Sequence, residues 1–112
     1  MFSFSNIGNS MSVEDMYKKC LEYKNNSFKV SSPSSHTCLA YMKGAMDTLE
    51  ASCMAQKLMF RKGNDYLANT KNASIEQFIM SFIKYAEKQV SEWNLGVGYT
   101  IMSWASKDFP CK

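Results

Sequence analysis

Apolar residues recur along this chain at helical rather than strand spacing. In the first periodic stretch Val13, Met16, Tyr17, Cys20 and Leu21 fall on one face. Ser12 stands before it as an N-cap, and Glu14 and Asp15 favour the positive end of the helix dipole. A second stretch, residues 38–53 (CLAYMKGAMDTLEASC), places Cys38, Tyr41, Met42, Ala45, Met46, Leu49 and Cys53 on one stripe, with Lys43, Asp47 and Glu50 opposite. Its pattern runs on through Leu58, Met59 and Phe60 and is expected to stop at residues 61–65 (RKGND), where Gly63 and Asn64 suit a left-handed cap. A third stretch has the strongest apolar face, made by Ile75, Phe78, Ile79, Phe82, Ile83 and Ala86 and extended by Val90. Ser74 and Gln77 form a capping box at its start. Tyr99, Ile101, Met102, Trp104 and Ala105 make a fourth helical stretch, ended by Pro110.

The segments between these are polar. Residues 25–35 (NNSFKVSSPSS) read as a connecting loop in which Pro33 holds its predecessor extended and Ser34 or Ser35 caps the next helix. Residues 66–72 read as loop, and residues 91–98 separate the last two helices. No stretch alternates with a two-residue period over a strand length. The expectation is therefore an all-α fold, a small bundle of about four main helices in one domain over residues 12–112. Residues 1–11 (MFSFSNIGNSM) are expected to be a flexible arm. Gly44 interrupts the second helix at a cost of about 1 kcal/mol relative to alanine, which points to close approach of another backbone, the alternative being a glycine that is simply tolerated.

Composition narrows the class. At 112 residues with 46% hydrophobic side chains the chain supports one modest core, and covalent staples would help it. Cys20, Cys38, Cys53 and Cys111 favour two disulfides in an oxidising compartment, with three pairings open. Zinc is disfavoured, because no C-x-x-C spacing occurs and His36 is the single histidine. A net charge of +3 from scattered lysines does not argue for nucleic acid, and no apolar run reaches the length of a membrane span. No export signal is visible in residues 1–11, so the disulfide reading takes the leader as already removed. The sequons at Asn25 and Asn72 are short matches that carry no weight.

Catalytic chemistry has little to stand on. A nucleophile needs a base oriented by a third group, and His36 and Cys38, two apart on a helix, point to different faces. Asp47 and Glu50 share their face with Lys43 and read as a solvated ion-pair surface. There is no glycine-rich phosphate loop, and the nine methionines suit gap filling in a helical core. The expectation is a protein that is not an enzyme and holds no cofactor or metal.

The order of motifs carries a resemblance. The run Cys38-Leu39-Ala40-Tyr41-Met42-Lys43-Gly44-Ala45-Met46-Asp47, followed by Cys53, an amphipathic helix and a terminal Phe109-Pro110-Cys111, resembles the Rap/Tai family of type VI secretion immunity proteins. In that family a C-x-x-Y-x-x-G-x-x-D segment precedes a third cysteine and the domain ends in F-P-C. The resemblance implies a helical periplasmic immunity domain, usually a homodimer, that binds and blocks a peptidoglycan amidase effector and so protects against self and kin. It makes Tyr41, Gly44 and Asp47 scaffold positions, with Gly44 admitting a helix and Asp47 holding a chain end. It also implies pairing of Cys20 with Cys38 and of Cys53 with Cys111. The chain departs from the pattern where Met54-Ala55 replaces a proline, in a longer connection from Cys53 to Ser74, and in the lack of a proline at residues 91–93.

Inhibition in that family resembles a plug, in which a protruding loop enters the enzyme's cleft. The first candidate here is Arg61, Lys62, Gly63, Asn64, Asp65 and Tyr66, a tip with both charges and an aromatic anchor. Removing residues 62–65 is expected to abolish effector binding and leave the fold intact. The second candidate is Glu92, Trp93 and Asn94, with Trp93 as an exposed anchor beside glycines or, alternatively, as a core residue. Two other readings stay open: a periplasmic helical adaptor or inhibitor with an unrelated partner, and a small hydrolase using His36.

Overall fold

The computed structural model describes residues 11–112. The described chain forms four helices, α1 (Val13–Asn25), α2 (Pro33–Phe60), α3 (Ile75–Lys88) and α4 (Val97–Asp108), with a short ribbon of β1 (Asn64–Ala68) and β2 (Pro110–Cys111). It is an all-α bundle of four helices cross-linked by two disulfides, Cys20–Cys38 and Cys53–Cys111.

The helix starts follow local chemistry. Ser12 caps α1 by accepting the Asp15 N–H at 3.1 Å. Val13, Met16, Cys20 and Tyr23 are its buried face, so the predicted stripe is the one that packs. Ser74 and Gln77 form the expected reciprocal box on α3, whose buried residues are Phe78, Ile79, Phe82, Ile83 and Ala86. Val90 does not extend that face: α3 ends before it, and Val90 lies exposed in a single 3-10 turn (Val90–Glu92). The cap of α2 is Ser32 rather than Ser34 or Ser35, because Pro33 takes the first helical position, where its missing N–H costs nothing. Ser35 instead closes the box from inside, fully buried, with its hydroxyl oxygen accepting the Ser32 N–H at 3.0 Å. The helix α4 begins at Val97, so Val97 and Gly98 are helical rather than linker.

The core draws buried apolar side chains from all four helices, with α1 packed along α2 and α3 set against α1, α2 and α4. Trp104 is its centre, with ring centroids 4.9 Å from Phe78, 5.8 Å from Phe82 and 6.3 Å from Phe109. Its indole N–H donates to Ser81 Oγ at 2.7 Å and to Asp108 Oδ2 at 3.1 Å, so the polar edge of the largest core residue is satisfied. The chain entering α1 is sewn to the segment before α4: Val13 N–H donates to Leu95 O, Glu14 N–H to Trp93 O and Val97 N–H to Met11 O. Met11 thus packs with the domain, while residues 1–10 of the expected arm lie outside the described residues.

The ribbon corrects the expectation that residues 66–72 are loop and that the chain lacks strands. Asn64 pairs antiparallel with Cys111 and Ala68 with Pro110, across an irregular register. This is a pairing set by where the chain end is anchored, not by alternating side chains. The Cys53–Cys111 bond closes 58 residues and the Cys20–Cys38 bond 18. Loop-closure entropy assigns them about 4 and about 3 kcal/mol respectively. A Cys53→Ser/Cys111→Ser double variant should therefore lose about 4 kcal/mol in urea unfolding and become the less stable of the two single-bridge proteins. A loss smaller than that of Cys20→Ser/Cys38→Ser would reverse the assigned order.

Candidate partner-binding surface

Beyond Cys53 no residue of α2 is buried, and the helix ends in three consecutive exposed apolar side chains, Leu58, Met59 and Phe60. Arg61 caps it in the left-handed region, φ 58°, with its N–H donating to Lys57 O at 2.7 Å. A non-glycine residue there costs roughly 1–2 kcal/mol. The left-handed cap is thus Arg61, not Gly63 or Asn64. Gly63 serves close packing: a Cβ on it would lie 2.5 Å from the Cys111 carbonyl carbon and 2.7 Å from that of Lys112. Asn64 pairs with Cys111, and its Oδ1 accepts the Tyr66 N–H at 2.7 Å.

The first candidate group therefore divides. Arg61, Lys62, Asp65 and Tyr66 face solvent, with Tyr66 79% exposed, whereas Gly63 and Asn64 bind the chain end. Excising residues 62–65 would remove the pairing of Asn64 with Cys111 and the packing of Gly63, so the fold would not survive that deletion untouched. Point substitutions at exposed positions are the clean probe.

The second candidate group turns inward. Trp93 is half-buried against Tyr17, 5.2 Å between ring centroids, and its indole N–H donates to Ala86 O at 2.7 Å. The carboxylate of Glu92 accepts the Tyr85 hydroxyl at 2.8 Å and faces Thr100. Asn94 alone of the three is exposed. The expectation of an exposed Trp anchor is corrected in favour of core packing.

Gly44 is also corrected. Among the described residues nothing lies within 4 Å of where its Cβ would be, so no described helix closes on it. It forms part of the wall of an apolar groove of about 450 Å³ between α2 and α4, lined also by Tyr41, Ala45, Gly98, Ile101 and Met102. Met102 joins this to a second groove of about 430 Å³ that carries Asp65, Tyr66 and Tyr99. Asp47 is exposed and has no partner among the described residues, so it holds no described chain end. The C-terminal segment is held instead by the Cys53–Cys111 bond and the β1–β2 pairing, while buried Thr70, whose hydroxyl donates to Met46 O at 2.8 Å, ties the segment after β1 to α2. Nothing in the sequence marked Thr70 for this. Among the described residues no group of His, Cys, Asp or Glu is placed to hold a metal, and His36 is exposed.

Comparison with protein-family models, with curated proteins and with solved structures found no match. The fold and its surface are thus the ground for any functional reading.

Two outcomes follow from this surface. Gly44→Ala should raise stability by about 1 kcal/mol in urea unfolding, since the helix gains and nothing clashes; a loss would restore a packing role. Burial raises the phenol pKa of Tyr41 above its ordinary 10.0, and burial first, then Glu87 or Glu92, does the same for Tyr17 and Tyr85. A raised folded-state pKa means stability is full below pH 10 and is lost as pH climbs through the folded values. Thermal melts should therefore fall above pH 10, and Tyr41→Phe should flatten that fall; a melt unchanged to pH 11 would contradict it.

Proposed function

We propose that this chain is a type VI secretion immunity protein that binds and occludes the active site of a cognate periplasmic peptidoglycan amidase effector. The observation that carries the reading is the cysteine pairing. Three pairings were open, and the resemblance to the Rap/Tai family implies the one the structure contains, Cys20–Cys38 with Cys53–Cys111. Two disulfides suit the oxidising periplasm, and no helix among the described residues is long and apolar enough to cross a membrane. An exposed apolar helix end beside exposed Tyr66 is the kind of surface that protein partners cover. The reading carries a homodimer with it and requires no catalytic residue or cofactor.

A periplasmic adaptor or inhibitor with an unrelated partner is the second reading. It is favoured by one observation: the departure from the family pattern at Met54-Ala55 falls on the unburied end of α2. Co-expression in the periplasm with the product of the adjacent gene separates the two. The expected outcome is rescue from lysis, copurification of the pair, and a mass near twice 12.8 kDa for this chain alone. Lysis without copurification would reject the immunity reading.

A further inference from the structure

The helix α2 continues seven residues past Cys53, its last buried residue, an overhang of roughly 10 Å at 1.5 Å per residue. At its end Leu58, Met59 and Phe60 are 80%, 73% and 58% exposed. Successive helical residues point about 100° apart, so these three do not form a stripe but look in three directions around the axis. A flat lipid surface or a single partner helix is served by apolar residues at i, i+3 and i+4 along one side. Only an enclosing surface covers three consecutive side chains at once.

The charges at the same end are one-sided. Lys57, Arg61 and Lys62 carry three positive charges and Asp65 one negative, and none of the three cations has an ion-pair partner among the described residues. Opposite charge at the rim of such a site speeds and orients association.

We propose that the end of α2 is a plug, anchored by Leu58, Met59 and Phe60, and that its partner is a protein with an apolar socket edged by carboxylates. This rests on the proposed immunity function and moves the anchor from the turn at residues 61–66 back onto the helix. The cations at positions 57, 61 and 62 steer, and the three apolar side chains hold.

The test measures binding kinetics to the product of the adjacent gene. Leu58→Ser/Phe60→Ser should keep the wild-type circular dichroism and melt, because both side chains are exposed, and should weaken binding about 100-fold through faster dissociation. Lys57→Glu/Arg61→Glu/Lys62→Glu should instead slow association and remove most of its salt dependence. If wild type binds and Leu58→Ser/Phe60→Ser binds within twofold of it, the plug is overturned while the immunity function stands. If wild type does not bind, the function falls and the plug with it. Wild-type binding to phosphatidylglycerol vesicles that Leu58→Ser/Phe60→Ser abolishes would overturn the socket in favour of a membrane surface.

Discussion

The bond between Cys53 and Cys111 is the constraint on which the rest of the arrangement depends. It joins the last buried point of the longest helix to the end of the chain, 58 residues away in sequence. Three features follow from that one anchor. The terminal residues lie beside residues 64–68 and form a ribbon that neither segment would make alone, since two very short strands are marginal in water. The backbone at Cys111 presses so close to residue 63 that only glycine fits. The end of α4 is drawn toward β1, and the Asn69 N–H reaches Phe109 O at 2.7 Å.

Within that frame the aromatic core holds α4 against α3. Trp104 touches Phe78 and Phe82 on α3 and Phe109 after α4, so one side chain fixes three pieces of backbone relative to each other. The other bridge, Cys20–Cys38, does a more local task, holding α1 against the start of α2 across the serine-rich turn. There Ser27 and Phe28 both take left-handed backbone, φ 58° and 57°, and Phe28 is returned to the core edge-on against Tyr23 at 5.5 Å. Two consecutive left-handed non-glycine residues are costly, and the packing of Phe28 together with the Cys20–Cys38 bond offsets them.

What could be read in advance was local. Caps at Ser12 and Ser74, the apolar face of α3 and the continuity of α2 through Phe60 all depend on residues within a few positions of each other. What was missed depends on residues far apart. The ribbon needs Asn64 to meet Cys111, and no periodicity encodes that. The two glycines were read the wrong way round: Gly44, in mid-helix, meets nothing, whereas Gly63, which looked like turn punctuation, is the one in close contact. A glycine's neighbours are a tertiary fact, and sequence offers only its local cost. Trp93 shows the same limit, because its flanking glycines suggested exposure while its partners, Tyr17 and Ala86, come from other helices. The exposed surface was half legible. Arg61, Lys62, Asp65 and Tyr66 were found from composition, but Leu58, Met59 and Phe60 were read only as a continuation of the helix, because apolar periodicity does not say where a helix outruns its bundle.

That overhang makes physical sense only together with the anchor beneath it. A free helix end of two turns would fray, since short helices are marginal in water. Here the Cys53–Cys111 bond fixes the base, Arg61 closes the last turn through Lys57 O, and the ribbon beyond it is pinned by Gly63 and Asn64. An apolar tip held in this way is already ordered before it meets anything. Binding then loses less conformational entropy than it would from a flexible loop, so a contact of few residues can still be tight. The structural cost of exposing Leu58, Met59 and Phe60 and the gain the proposed plug would draw from presenting them rigidly thus belong to the same disulfide.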